Sequence, residues 1–374
     1  MASIQARSRC DDQELTRPQG DSGEYAVMLD GYFGLADEAW ARARAQVQGS
    51  FERCYKIADL AVQLQFAGPA LLQVIAPALD HLEVDRLSEE PVLTVRLWDR
   101  ASTGVAMPPA PVAIDDFTVR GELVGFGDDQ HRVAYDRQAR TLSLLRHQSR
   151  LGWLCAYDAR AVPTYERGAP LRWILGWLMR NHGRQVVHAA GVGTDKGSVL
   201  IVGRGGAGKS NTSVGCMLSG LSFVGDDFCA VATIPRPTVY SLYSSAKLRS
   251  GDWARLPLPR INREDPDTEK NLYYLHPHYA RQLKDHIPLL AILLPSKSNT
   301  PRPWFERISP RIPLIEMASQ SISMSPNAGA EAVTMLSSLV RQLPCYRFHL
   351  GSAPALIPVA VSDFIRRVAT TAGQ

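Results

Sequence analysis

A glycine-rich stretch in the middle of the chain constrains the fold more than any other feature. Residues 199–210 read VLIVGRGGAGKS, an apolar run that leads into four glycines within six residues. Glycine adopts positive φ at low steric cost, so backbone N–H groups in such a loop can turn inward around an anion at the start of a helix. The stretch predicts a strand, an anion-binding turn and a helix, which together form a unit of α/β architecture.

The same letters fit two kinds of nucleotide site. From Gly203 they give G-x-G-x-x-G, with Asp226 about 20 residues further on, as in turns that bind dinucleotides. They also give G-x-x-x-x-G-K-S, the loop of nucleoside triphosphate enzymes, in which Lys209 would meet the β- and γ-phosphates and Ser210 would bind Mg²⁺. A dinucleotide already rests on backbone N–H groups and needs no ammonium there, so Lys209 favours a triphosphate. NAD is the alternative.

The loop residues are therefore assigned to ATP and its metal. We expect Mg²⁺ at the hydroxyl of Ser210, because a triphosphate brings a bound cation with it. The predicted nucleotide-binding residues are Gly203, Arg204, Gly205, Gly206, Ala207, Gly208, Lys209, Ser210 and Asn211.

Two adjacent acids follow the apolar run LSFVG, one helix after the loop. Side chains alternate across a strand, so the carboxylates of Asp226 and Asp227 are expected to face different ways. One can then face Mg²⁺, for which we choose Asp226, while the other faces the attacking hydroxyl. A solvated turn or a helix N-cap is the alternative interpretation of such a pair. His188 lies in an apolar run before the loop, where a histidine is more often a core residue than a catalytic one.

The order VVHAAGV, GRGGAGKS and FVGDD resembles the kinase domain of HPr kinase/phosphorylase and of HPr-kinase-like proteins. That family has a histidine in a short strand, then the phosphate loop, then an Asp-Asp pair. Here His188 lies 21 residues before Lys209, and Asp227 lies 17 residues after Ser210. Most other phosphate-loop families place their metal-binding acid much further along. The resemblance covers about residues 165–235 well and the C-terminal third loosely, and the N-terminal half does not visibly match.

The resemblance implies a set of roles. The loop would bind ATP with Ser210 on Mg²⁺, Asp227 would be the general base toward the acceptor hydroxyl, and His188 would support that acid. With Lys209 on the phosphates, these residues form the predicted catalytic set. The assignment of Asp226 to the metal comes from the alternation argument and not from the family.

One part of the family pattern has no clean counterpart in this chain. The family carries a later glycine-rich signature with a metal-binding Glu and a catalytic Arg. Lys247, Glu269 and Lys270 are the candidates to replace them, each of which is equally interpretable as a surface charge. The departure argues against HPr as the substrate and against a reverse phosphorylase activity.

The predicted fold class is an α/β phosphate-loop, HPr-kinase-like kinase domain preceded by an α+β N-terminal domain. The boundary is placed at AVPTYERGAP, where Pro and Gly interrupt the pattern, which gives domains 1–165 and 166–374. The first 22 or so residues are polar and expected to be flexible. Periodicity predicts a helix at 170–183, a hairpin-like pair at 185–192 and 198–203, and a hairpin at 131–147 that turns at residues 136–139.

Composition excludes several classes of protein. With 45% hydrophobic and 21% charged residues, the chain is globular. The net charge of +4 is scattered without long basic runs, so no nucleic-acid partner is expected. The longest apolar run, IPLLAILLP, is too short to cross a bilayer, and no membrane association is expected. Six cysteines without a C-x-x-C pair, and no secretory signal, indicate a cytoplasmic protein.

The sequence thus predicts an ATP-dependent serine kinase. The acceptor hydroxyl is expected on a serine of a peptide or small protein, such as a ribosomally made peptide precursor, with the N-terminal domain in recognition. A small-molecule kinase on the same fold and a non-catalytic nucleotide-binding regulator are the alternatives. The sequence leaves the oligomeric state open, a homo-oligomer included.

Overall fold

Two β-sheets, formed by separate stretches of the chain, make up the framework. The computed structural model describes residues 22–49, 51–109, 122–127, 130–252, 254–258, 260, 270–324 and 329–372. Within this part no helix is both long enough and apolar enough to cross a membrane.

The first sheet has eight strands and is mixed. Its strand order is β3-β1-β2-β4-β8-β7-β6-β5, with parallel pairing of β2 with β4 and of β4 with β8, and antiparallel pairing elsewhere. The elements of this half are α1 (Ser22–Ala45), β1 (Phe51–Ile57), β2 (Leu60–Phe66), α2 (Pro69–Ile75), β3 (Glu83–Val84), β4 (Leu93–Asp99), α3 (Arg100–Thr103), β5 (Glu122–Gly127), β6 (His131–Asp136), β7 (Thr141–Arg146) and β8 (Leu151–Ala156).

The second half contains a nine-stranded sheet and a separate two-stranded ribbon, β15–β16. Its elements are α4 (Thr164–Gly168), α5 (Arg172–Asn181), β9 (Gln185–Val187), β10 (Ala189–Thr194), β11 (Gly197–Val202), α6 (Lys209–Leu218), β12 (Ser222–Gly225), β13 (Cys229–Ala232), β14 (Thr238–Ser241), β15 (Ser245–Arg249), β16 (Lys270–Tyr274), β17 (His286–Ser296), β18 (Trp304–Arg307), α7 (Arg311–Met324), α8 (Ala330–Gln342), β19 (Cys345–His349) and α9 (Ile357–Ala372).

Strand β17 is the central element of the second sheet. It pairs with β11 in parallel on one side, while β14 pairs with its first residues and β19 with its last residues. From β11 the sheet continues through β10 to β12, and from β14 it continues through β13 to β9. The long apolar strand therefore joins two smaller groups of strands into one sheet.

Helices cover both faces of the second sheet. Val214 of α6 and Phe364 of α9 belong to one buried cluster, which also contains Ile201 of β11. Met317 of α7 and Leu339 of α8 belong to another cluster, on Leu200 and its neighbours. Because Leu200 and Ile201 are consecutive in β11, they enter opposite layers, as alternation along a strand requires. Both layers are apolar, as expected for a strand buried on two sides.

The two halves share a hydrophobic core. One cluster contains Leu97 of the first sheet together with Ile174 of α5, Val186 of β9 and the buried Tyr243. The tyrosine hydroxyl also donates a hydrogen bond to the carbonyl of Pro170 at 3.0 Å. A boundary at residues 165 and 166 therefore separates the strands of the two sheets but passes through a common apolar core.

The structure confirms one of the two strand pairs predicted from periodicity and corrects the other. The hairpin at 131–147 is confirmed, because β6 and β7 pair in register from Asp136 opposite Thr141 to His131 opposite Arg146. The run at 185–192 is not one strand of a hairpin. It divides at His188 into β9, which pairs with β13, and β10, which pairs with β11. The division places His188 between two pairing partners instead of inside one ladder. The segment predicted to be flexible lies outside the described residues.

Candidate active site

The glycine loop connects the end of β11 to the first residue of α6. Gly206 has φ +80° and Gly208 has φ +102°, a region that side-chain-bearing residues rarely adopt. At Gly208 a Cβ atom would also lie 2.8 Å from Cδ1 of Leu350. The backbone conformation therefore favours glycine at this position, and the turn presents the free N–H groups at the N-terminus of α6 to the cleft.

Lys209 is the first residue of α6 and is buried. Its ammonium donates hydrogen bonds to the carbonyl oxygens of Gly203 at 2.6 Å and Arg204 at 3.3 Å. Burial lowers the pKa of Lys209, and the negative charges of Asp226 and Asp227 oppose this shift. The ammonium is thus folded back onto the carbonyl groups of the loop.

Two side contacts fix the loop from outside. Arg204 forms an ion pair with Glu316 of α7 at 3.3 Å. The Asn211 amide donates to Asp252 at 2.8 Å, and the backbone N–H of Ala254 donates to the Asn211 carbonyl at 3.3 Å. Asn211, predicted to bind the nucleotide, thus lines the cleft while its side chain holds the segment after β15.

Asp226 follows β12 and is 1% exposed. Its Oδ1 accepts a hydrogen bond from Ser213 at 3.3 Å, and its buried Oδ2 meets no hydrogen-bond partner in the described part of the chain. Burial, followed by the charge of Asp227, raises the pKa of Asp226, while the Ser210 hydroxyl opposes the rise. A buried carboxylate oxygen without a donor, near a serine hydroxyl, suits a hard cation such as Mg²⁺.

A left-handed turn, and not strand alternation, separates the two acids. Strand β12 ends at Gly225, so neither acid belongs to it. Asp227 has φ +71°, a conformation that is uncommon outside glycine but more accessible to Asp and Asn. Asp226 remains buried, whereas the Asp227 side chain is 23% exposed and lines the cleft. The two acids have different surroundings, and because neither lies in β12, alternation along a strand does not account for the difference.

Asp227 is held by two basic side chains. His188 Nε2 lies 2.8 Å from Asp227 Oδ1, and Lys247 Nζ on β15 lies 2.9 Å from Oδ2. Burial by itself would raise the pKa of Asp227, but Lys247 and then His188 outweigh it and hold the pKa well below the usual value. The carboxylate is therefore ionised at neutral pH and fixed through both oxygens.

His188, residues 205–211 and Asp227 line one cleft of about 470 Å³, a size typical of small-molecule sites. Gly203, Arg204 and Asp226, which the sequence also assigned to the site, are not among the lining residues. The lining combines the glycine loop and the start of α6 with His188, Asp227 and Lys247. Arg249, Lys270 and Lys297 add further basic groups to the lining. The structure thus brings the predicted loop, acid and histidine together. No cluster of three or more His, Cys, Asp or Glu side chains fit to hold a metal occurs in the described ranges.

Sequence reasoning found some of this lining and missed other parts. Lys247 was a candidate, but its contact with Asp227 could not be read from a separation of 20 residues. Lys270 lines the cleft, and Glu269 lies outside the described residues. Glu166, which is not among the lining residues, was not considered because it lies in the stretch interpreted as a domain boundary; it is buried, and the charge of Lys247 lowers its pKa against the effect of burial. The sequence signal that could have drawn attention to Glu166 is its position as a charged residue between Tyr165 and the apolar helix α5.

Comparison with solved structures finds a similarity to the HPr(Ser) kinase/phosphatase from Coxiella burnetii. The identity is 10% and the TM-score 0.30, over 50% of this chain and 99% of that one. Neither a protein-family model nor a curated protein matches the chain. The function proposed below therefore rests on the residues of the cleft.

Proposed function

We propose that the protein is an ATP-dependent kinase that transfers the γ-phosphate to a hydroxyl, specifically to a serine of a peptide or small protein. One observation carries the proposal. The glycine loop with Lys209 lines the same cleft as Asp227, His188 and Lys247. Phosphoryl transfer depends on positioning and charge stabilisation more than on covalent catalysis, and these groups supply both.

The loop side of the cleft would hold the triphosphate. Free N–H groups at the start of α6 favour an anion, and Lys209 adds a full positive charge beside them. A nucleotide would draw the Lys209 ammonium away from the carbonyls of Gly203 and Arg204, because phosphate oxygens are the stronger acceptors. Ser210 and Asp226 would hold Mg²⁺, whose charge would neutralise the β- and γ-phosphates.

The part of the cleft that carries Asp227 and His188 would activate the acceptor. The hydroxyl oxygen attacks the γ-phosphorus, the bond from that phosphorus to the bridging β–γ oxygen breaks, and the hydroxyl proton passes to Asp227. Asp227 is a weak base. In a loose transition state, however, alignment of the nucleophile matters more than early removal of its proton. His188 orients the carboxylate through its 2.8 Å contact.

The choice of a serine acceptor is supported by the resemblance of the motif order to HPr-kinase-like proteins. The cleft opens beside several basic groups, and the first sheet offers a large additional surface for recognition. A cytoplasmic location, where ATP is abundant and thiols stay reduced, completes the proposal.

The test uses γ-labelled ATP with two acceptor panels, serine-containing peptides and hydroxylated metabolites. We expect the wild type to label a peptide serine in the presence of Mg²⁺, Lys209→Met to lose nucleotide binding, and the surface variant Lys196→Met to behave as wild type. Label on metabolites alone would instead identify a small-molecule kinase. ATP binding without turnover would identify a regulator, and binding of NAD in place of ATP would overturn the loop assignment.

A further inference from the structure

Lys247 links the candidate base to a second carboxylate that the proposed reaction leaves unused. Its Nζ lies 2.9 Å from Asp227 Oδ2, and its side chain is 13% exposed. Glu166, on α4, is 3% exposed and lies within the electrostatic reach of Lys247 and Arg172. Oε2 of Glu166 is buried and has no hydrogen-bond partner within the described ranges. The Lys247 ammonium is therefore paired with Asp227 and exerts a weaker electrostatic influence on Glu166.

The end of α4 is shaped around the Lys247 side chain. A Cβ atom at Gly168 would lie 2.8 Å from Cε and 3.6 Å from Nζ of Lys247. The Gly168 carbonyl accepts a hydrogen bond from the Ser245 hydroxyl, and the Arg167 carbonyl accepts one from Tyr274 at 3.2 Å. Ser245 lies on β15 and Tyr274 on β16. The two hydrogen bonds therefore connect the β15–β16 ribbon, which carries Lys247, to α4, which carries Glu166.

We propose that Lys247 is a catalytic residue that contacts the phosphoryl group during transfer, and that Glu166 is a positioning residue that anchors its ammonium. The proposal deepens the function proposed above and rests on it. The acceptor oxygen must lie about 2.6–3.2 Å from Asp227 and about 3–3.5 Å from the γ-phosphorus. An ammonium bonded to that same carboxylate is then next to the equatorial phosphoryl oxygens, over which the transition-state charge is spread.

This geometry requires a second group that fixes the position of Lys247, and we assign that role to Glu166. During transfer Asp227 is engaged with the acceptor hydroxyl, so it cannot alone fix the position of Lys247. Glu166 supplies a second negative charge when it is ionised, above its pKa of about 7, from a helix that is hydrogen-bonded to the same ribbon. If Lys247 only formed a structural ion pair with Asp227, its loss would affect stability and leave recognition of the transferring phosphoryl group unchanged.

The experiment measures affinity for Mg²⁺·ADP with and without aluminium fluoride, which mimics the planar phosphoryl group in transfer. No acceptor needs to be known. In the wild type, aluminium fluoride should tighten binding. In Lys247→Met, ADP affinity should stay within about threefold, while the tightening should fall by about 10²-fold, as for loss of one transition-state donor. Lys247→Arg should restore part of it, because the charge is kept and the geometry changes.

Two further variants test the anchor. At about pH 8, where Glu166 is ionised, Glu166→Gln and Gly168→Ala should each reduce the tightening about tenfold, because a displacement of the ammonium by less than 1 Å is enough to cost that much. Gly168→Ala also serves if Lys247→Met fails to fold. Lys196→Met, on the β10–β11 turn at the far end of β11 from the loop, removes the same charge and should leave the tightening intact.

The outcomes separate the two proposals. If Lys247→Met keeps the full tightening by aluminium fluoride, Lys247 does not touch the phosphoryl group and the inference is wrong, while the proposed function stands. If Lys247→Met loses the tightening but Glu166→Gln and Gly168→Ala keep it, the role of Glu166 is overturned. A wild type that binds no Mg²⁺·ADP, or gains nothing from aluminium fluoride, would overturn the proposed function and the inference with it.

Discussion

Glu166→Gln is expected to stabilise the protein increasingly as the pH rises from about 4.5 to about 7. Burial raises the pKa of Glu166 from 4.5 to about 7, against the opposing influence of Arg172, Lys247 and the N–H of Leu171, while Asp136 adds to the rise. The folded protein therefore keeps the proton over a range in which the unfolded chain has lost it. Stability that is present below pH 4.5 is lost as the pH approaches 7, and an amide that cannot ionise avoids this loss.

The magnitude follows from the size of the shift. Each pKa unit corresponds to about 1.4 kcal/mol, so a rise from 4.5 to about 7 corresponds to about 3 kcal/mol. The unfolding free energy of Glu166→Gln minus that of the wild type should grow by this amount between pH 4.5 and about pH 8, and then level off. The constant offset between the two proteins carries other effects of the substitution, so only the change with pH is informative.

Urea unfolding across this pH range, at fixed ionic strength, measures the difference. Glu90→Gln, at a side chain that is 84% exposed, controls for the loss of one carboxylate from the chain. A difference between Glu166→Gln and wild type that is flat with pH, or that shrinks as pH rises, would refute the reasoning, because a buried carboxyl with a raised pKa can produce neither.

Three further predictions concern the loop, the acid pair and the contact between halves. Asp227→Asn should slow phosphoryl transfer by about 10²-fold or more at nearly unchanged ATP affinity, whereas Asp226→Asn should raise the Mg²⁺ concentration needed for transfer. Single-turnover rates over a Mg²⁺ series measure both effects, and the two roles are reversed if Asp226→Asn is the variant that loses the rate and Asp227→Asn the one that needs more Mg²⁺. Gly208→Ala should abolish calorimetric ATP binding and cost about 1–3 kcal/mol of stability, because φ is +102° there; retained binding contradicts the loop geometry. Tyr165→Phe removes the hydroxyl that lies 2.9 Å from both Asp136 oxygens. The free energy of unfolding in urea should fall by about 1.5–3 kcal/mol while the affinity for ADP stays intact. A smaller loss would mean that water replaces the contact.

Local sequence was sufficient where the structure depends on local chemistry. Alternation predicts β6 and β7 and their turn, where Asp136 accepts hydrogen bonds from the N–H groups of Gln138 and Ala139. The glycine spacing likewise places a strand before the loop and a helix after it, and the structure has β11 and α6 there. These features depend only on hydrophobic periodicity, turn residues and the conformations open to glycine, and all three can be recognised from consecutive residues of the sequence.

The remaining features depend on contacts between distant parts of the chain. The division of 185–192 at His188 follows from which strands pair with each half, β13 or β11, and nothing within the eight residues decides this. The position of Lys247 depends on a ribbon whose second strand begins at Lys270, and that of Glu166 on a helix packed against this ribbon. The roles assigned to Asp227, Asp226 and the loop stay predictions that the experiments above address.

The pairing of β11 with β17 has a consequence for how the protein is made. The two strands align Ser198 with Leu289 and Ile201 with Leu293, so partners are separated by about 90 residues. On the ribosome, the strand that ends in the glycine loop lacks its parallel neighbour until the last quarter of the chain has begun to emerge. Contacts over such separations form late and slow folding. The glycine loop, although encoded near the middle, gains the second neighbour of its strand only after β17 has been made, and termination before β17 would leave β11 with β10 as its partner on one side alone.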